Sequence, residues 1–238
     1  MGTVGGCRIP LCRPTLLVLL LGIGLSRVVA GSPPVAAPVA RAAPANPACF
    51  SSPPSAWDAH EASGAEGSGE HSPDAGSVLV PLFHAWEGRW NGRMTEVRCL
   101  GTETAPRHET DRYTVDAEMR GQSQGLFEFD AELDGIDSRT RRRLWFWWLV
   151  KQDGLRFGNE KAFIPDAPGW DVGIIDLDND GVTFRRWYRI RTRLGTSVAK
   201  LDVRSMHGDR RTLTIREAFY TQGILAGRRT WHLQRADR

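Results

Sequence analysis

The chain has 238 residues, 41% of them hydrophobic and 25% charged, which is enough apolar material for one packed domain. Its formal charge is only +3, from 31 Lys and Arg against 28 Asp and Glu. So even a balance excludes the strong basic footprint on which general nucleic-acid binding rests.

The first thirty residues carry the whole of that excess. Arg8 and Arg13 form a positive start, Leu16 to Leu25 is an apolar run, and Val28-Val29-Ala30 is a small-residue cleavage site before Gly31. The run is too short to span a bilayer, so residues 1–30 are predicted to be a secretory signal peptide. That segment holds Arg8, Arg13 and Arg27 and no acid, and its removal leaves 28 basic and 28 acidic side chains. Cys7 and Cys12 leave with it. The expected location is secreted, periplasmic or in the cell envelope.

Residues 31–77 are rich in Ala, Pro, Ser and Gly, with Phe50 and Trp57 as almost the only large apolar side chains. Such a segment buries too little surface to offset chain entropy and is predicted to be a disordered linker. Two cysteines survive export, Cys49 and Cys99. An even pair in an oxidising compartment permits one disulfide, from the tail to the end of the first strand; two separate thiols are the alternative.

From Val78 onward about 160 residues remain, a normal size for one domain. Val78 to Trp86 reads as a short helix or turn. Period-two alternation then dominates. Tyr113, Val115, Ala117 and Met119 share one face, and Phe127, Phe129, Ala131 and Leu133 alternate with Glu128, Asp130 and Glu132. Leu144 to Val150 is unbroken apolar, and a looser strand covers Leu155 to Phe163. Trp170 to Leu177 and Val182 to Arg191 are joined by Asp178-Asn-Asp-Gly181, a hairpin signal. Strands at Val198 to Met206, around Leu213, Ile215 and Phe219, and at Leu225 to Arg235 complete the chain. About 8–10 meandering antiparallel strands predict an all-β, up-and-down β-barrel over residues 78–238, with a two-sheet sandwich as the structural alternative.

Three motifs suggest chemistry. Gly121-Gln-Ser123-Gln-Gly125 matches the nucleophile elbow in letters, but the elbow needs a strand-to-helix turn and Leu126 to Leu133 alternates as a strand. Ser123 is therefore expected to be a turn residue. Asp176-x-Asp178-x-Asp180-Gly181 matches the first half of a calcium loop, yet Trp187 stands where the bidentate Glu belongs; turn chemistry accounts for these residues. No two of the six histidines have metal-ligand spacing, and no metal or catalytic set is assembled.

Arg186 and Tyr188 share a strand face with Phe184 and Ile190, while Arg185, Arg189 and Arg191 take the other. Glu217 sits likewise among Leu213, Ile215 and Phe219. A buried charge must be paired or must meet a ligand, so two outcomes are open: an internal Arg186–Glu217 ion pair, or a site for an acidic ligand.

Gly88-x-Trp90-x-Gly92 at the start of the strand pattern resembles the opening strand of calycin β-barrels, the lipocalin and nitrobindin-like group. That resemblance implies that Trp90 plugs one barrel end and that a basic residue of the last strand, Arg235 or Arg229, lies across it as a cation–π contact. Arg186-Trp-Tyr188 is similar in type, though not in position, to the carboxylate-holding pair of fatty-acid-binding barrels. Nitrobindin-like barrels hold haem through a His near the C-terminus, which here points to His232. However, His232 shares its face with Arg228, Thr230 and Gln234, the expected solvent side.

Arg141 to Lys151 departs from ordinary alternation. Trp145, Trp147 and Leu149 face one way and Leu144, Phe146, Trp148 and Val150 the other. One aromatic face, carrying Trp145 and Trp147, is expected to line a ligand cavity. The other needs a cover: the chain itself, a second subunit, or a membrane surface met by Arg141–Arg143 and Lys151. The resulting expectation is an exported lipocalin-like barrel without a resident cofactor, binding a small apolar or amphipathic molecule through Phe184, Arg186, Tyr188, Glu217, Trp145 and Trp147. A filled, non-catalytic envelope or interaction module, and a haem-binding or enzymatic calycin, are the alternatives.

Overall fold

The computed structural model describes residues 48–55, 75–152, 154–159 and 170–236. The predicted signal peptide and much of the predicted linker lie outside them. Helix α1 (Ala75–Trp86) precedes the strands of the described residues: β1 (Gly88–Thr102), β2 (Ala105–Gly121), β3 (Leu126–Gly135), β4 (Arg141–Lys151), β5 (Gly154–Gly158), β6 (Trp170–Leu177), β7 (Gly181–Arg191), β8 (Ser197–Gly208), β9 (Thr212–Thr221) and β10 (Ile224–Arg235). Each strand pairs antiparallel with its sequence neighbours, and β10 pairs with β1 to close the barrel. The fold is an up-and-down barrel, not a sandwich. Each strand thus has a paired neighbour on both sides, though β5 meets β4 only from Trp147 to Lys151.

Helix α1 starts within the predicted linker, at Ala75 rather than Val78. Its buried residues Leu79, Leu82, Phe83 and Trp86 recur at helical spacing, and that face closes one end of the barrel. Phe83 stacks on Phe127 at 5.1 Å and on Trp148 at 5.4 Å, and Trp86 Nε1 donates to the Gly208 carbonyl at 3.3 Å. Below the helix the interior is solid. Trp90, Met119, Phe127, Trp148, Met206, Leu213 and Leu233 fill it.

At this end Arg235, and not Arg229, is the last-strand residue that meets Trp90. Arg235 lies over the Trp90 ring at 4.8 Å and donates to the Ala85 carbonyl at 2.7 Å; Trp90 Nε1 donates to the Trp86 carbonyl at 2.8 Å. Arg229, the other candidate, lies deeper, opposite Glu96. Two glycines are required here. Gly88 adopts φ +126°, and a Cβ at Gly92 would stand 2.0 Å from the His232 carbonyl oxygen, so β1 and β10 pair this closely only with glycine.

Cys49 and Cys99 are disulfide-bonded, with Cα atoms 5.5 Å apart. Phe50 N donates to the Leu225 carbonyl at 3.3 Å, and Leu225 N donates to Ser51 at 3.0 Å. Residues 48–51 are thus part of the fold, contrary to the prediction of a linker throughout residues 31–77. Leu225 belongs to a second apolar cluster with Leu201, Val203, Ala218 and Tyr220. These residues alternate with inward-facing Asp202, Arg204, Glu217 and Phe219, which places the cluster on the outer face of β8–β10.

Candidate functional site

The half of the barrel away from α1 is lined differently. Register across β7, β8, β9, β10 and β1 sets Arg186 beside Asp202, Arg204 beside Glu217, and Glu217 beside Arg229, which faces Glu96. All of these side chains share the inward parity of Phe184, Ile215 and Trp231. A cavity of about 710 Å³ runs from here out through the wall beside β4. Phe146, Phe157, Phe219, Arg186, Arg204, Glu217 and Arg229 line its inner part, and the outward-facing Arg120, Glu128, Asp130, Arg143 and Trp145 its mouth.

The charges form a connected set. Arg204 donates from Nε and Nη2 to one oxygen of Glu217, with Nε at 3.0 Å, and Trp231 Nε1 donates to the other at 2.9 Å. Arg204 is also held between the faces of Phe146 and Phe157, each 4.4 Å from its guanidinium carbon. Glu96 accepts from Arg229 Nε at 2.7 Å and from Arg142 Nη1 at 2.5 Å, and Arg142 also reaches the Tyr113 hydroxyl at 3.3 Å. Arg186 donates to Asp202 at 2.5 Å and stacks on Tyr188 at 4.2 Å.

Burial opposes charge on Glu217, but the adjacent Arg204 and Arg229 and the bonds from Trp231 and Arg204 more than offset it, and its carboxyl is held below the ordinary range. Glu96 behaves alike, its burial outweighed by Arg229 and Arg142. For Asp202 burial prevails over Arg186 and pushes the carboxyl up. Burial, with Asp202 adding to it, also raises the Tyr188 hydroxyl.

Several sequence expectations are corrected here. Arg186 and Tyr188 do face inward, but Arg186 pairs with Asp202 and not with Glu217, because β8 lies between β7 and β9. Glu217 takes Arg204 instead. The inward face of β4 is Leu144, Phe146, Trp148 and Val150, since register sets Phe129 against Phe146 and Phe127 against Trp148. Trp145 and Trp147 therefore point outward. Trp145 still borders the cavity, since β5 pairs with β4 only from Trp147 to Lys151 and leaves the rest of β4 beside it. Trp147 is buried with its indole over Gly158, where a Cβ would approach within 2.2 Å. On the outer face of β4, Trp147 is buried while Trp145 and Leu149 are half-buried; the exposed large apolar side chains among the described residues are Leu100, Ile136, Ile190 and Leu194.

The remaining motifs fall outside the cavity. Ser123 opens a one-turn 3-10 segment between β2 and β3, with no helix after it. Asp178, Asp180 and His207 bring one possible ligand atom each within 4.8 Å at the other end of the barrel; they are exposed or half-exposed, and Asp176 is not among them. His232 is exposed on the outer face of β10, so the residue the haem expectation depends on is not presented to the interior. Sequence reasoning missed Asp202 and Arg204. Their alternation with Leu201 and Val203 was a usable signal, but it reads as an ordinary wet face.

No protein-family model matches the chain, and no curated protein matches it. Among solved structures, Rv2717c from M. tuberculosis is similar over 68% of this chain and 98% of its own, with 12% sequence identity and a TM-score of 0.38.

Proposed function

We propose that this chain is an exported barrel protein that holds a small amphipathic molecule in the half of its barrel away from α1. The observation that carries this reading is the cavity of about 710 Å³. Ligand pockets commonly measure roughly 300–1,000 Å³ and combine apolar walls with a few converging polar groups. Phe146, Phe157 and Phe219 supply the walls, and Arg186, Arg204 and Arg229 the polar groups. A barrel that served only as a filled scaffold would gain nothing from burying so many charges around empty space, because each must be desolvated and then paired.

Export is supported by the leader pattern of residues 1–30 and by the Cys49–Cys99 bridge, since disulfides persist mainly in oxidising compartments. The test is organic extraction of the purified full chain followed by mass spectrometry, together with titration by Nile red. A stoichiometric small molecule in the extract, or saturable dye fluorescence displaced by that molecule, is the expected result. If the extract is empty and the dye shows no saturable binding, the chain is a filled barrel and the proposal is wrong.

A further inference from the structure

The inward-facing charges of the cavity half do not balance. Arg142, Arg186, Arg204 and Arg229 stand against Glu96, Asp202 and Glu217. Asp202 answers Arg186 and Glu217 answers Arg204, each through direct hydrogen bonds. Glu96 is left to serve both Arg142 and Arg229. Arg142 has a further oxygen partner in Tyr113, but Arg229 does not: among the described residues only its Nε is hydrogen-bonded, and its Nη1 stands 4.0 Å from Glu217. Farther out on the same inward parity, Lys200 of β8 and Arg98 of β1 are matched by Asp111 and Glu109 of β2, so the surplus of one positive charge is unchanged. The surplus therefore concentrates at Arg229, which borders the cavity with four-fifths of its side chain buried.

A buried guanidinium that is only partly answered is a poor end state, because removing it from water is costly unless its hydrogens find acceptors. We infer that Arg229 receives the anionic group of the bound molecule, and that the ligand class is a small monocarboxylate with an apolar, ring-sized body. One negative charge completes the set. The body would lie against Phe146, Phe157 and Phe219, whose rings offer stacking faces. Arg229 itself lies over Phe219 at 5.0 Å, which fixes where its free amino groups can point. This differs from the Arg186–Tyr188 pair suggested by the sequence, since Arg186 is already occupied by Asp202. The inference rests on the ligand-binding reading above.

The test is calorimetric titration of the full chain with naphthoate, with uncharged naphthylmethanol and with cationic naphthylmethylamine. Naphthoate should bind about tenfold or more tighter than the alcohol, the scale of one charge-assisted hydrogen bond, and the amine weakest. Arg229→Gln leaves Glu96 with Arg142 and Glu217 with Arg204, so each acid keeps a partner and folding should survive. It should remove the preference for naphthoate, whereas Arg229→Lys should retain most of it. Thermal unfolding of each variant checks that the barrel is intact. If the wild-type chain binds naphthoate and the alcohol equally, or Arg229→Gln keeps the preference, the anion assignment is wrong while ligand binding stands. If none of the three binds, both readings fail.

Discussion

Arg204 and Glu217 meet across β8 and β9 with both an Nε and an Nη2 hydrogen of the arginine directed at one carboxylate oxygen, while the other oxygen is taken by Trp231. Glu217 is thereby fully answered at the centre of the cavity half. Replacing it by Leu leaves Arg204 buried without its acid. The expected loss is about 3–5 kcal/mol, read from urea unfolding, with Trp231 fluorescence altered as its indole loses an acceptor. A loss below about 1 kcal/mol, the size of a surface pair, would show that the pair is solvated.

Acid should destabilise the fold through the same groups. Glu217 and Glu96 hold folded carboxyls below the ordinary range, so on acidification the unfolded chain takes up protons that the folded chain refuses. Their contribution is present above the unfolded value of roughly 4.3 and is lost as pH falls toward the lower folded values. Asp202 works in the other sense. Its folded carboxyl is raised, so its own contribution improves as pH falls through that raised value. Two groups against one predict a net fall in stability on the acid side, flattened in Glu217→Gln and steepened in Asp202→Asn. Unfolding free energies across a pH series, compared among the three proteins, check the signs.

The plug makes a separate prediction. Arg235→Met keeps much of the side-chain volume but loses the charge over Trp90 and the bond to the Ala85 carbonyl. About 2–3 kcal/mol should be lost, with α1 losing amide protection before the strands. Uniform loss of protection across helix and strands would mean that α1 is not held by this residue in particular.

Removing the bridge tests residues 48–51. The disulfide spans 50 residues of sequence, and for a loop of that size chain entropy gives about 4 kcal/mol as an upper expectation. Cys99→Ser should approach that figure in chemical unfolding. It should also free the amide of Leu225, which donates to Ser51, to exchange. An unchanged Leu225 amide would show that the segment docks without the bridge.

The strand pattern was legible wherever one face was wet and the other dry. Phe127, Phe129, Ala131 and Leu133 could be assigned to one face from the letters alone, and the Gly88–Trp90–Arg235 plug could be named from its two ends. The cavity was not legible, for two physical reasons. On β8 the usual polarity is inverted, with Leu201 and Val203 outside against the second apolar cluster and Asp202 and Arg204 inside. Alternation separates two faces but does not say which one water touches. On β4 both faces are apolar, so the choice between Trp147 and Trp148 depended on register with β3, and register is decided by pairing across strands. The mistaken Arg186–Glu217 pair has the same origin: each residue was placed on its face correctly, but the intervening strand was not.

The chain order of the barrel bears on how it opens. Nine of the ten strand pairings join neighbours in sequence, and only β1 with β10 joins the two ends of the domain. That seam is therefore the one ladder whose formation must close a long loop. It is fastened at both extremities by contacts outside the sheet. At the helix end Arg235 ties β10 to Ala85 across Trp90, and at the other end residues 49–51 join Cys99 of β1 to Leu225 of β10. The shortest ladders lie elsewhere: among the described residues β5 pairs with β4 over five residues and with β6 over three, against nine between β1 and β10. The proposed ligand beside Arg229 would therefore leave past β5 and not through the pinned seam. Reducing the disulfide should then leave the release rate of that ligand unchanged.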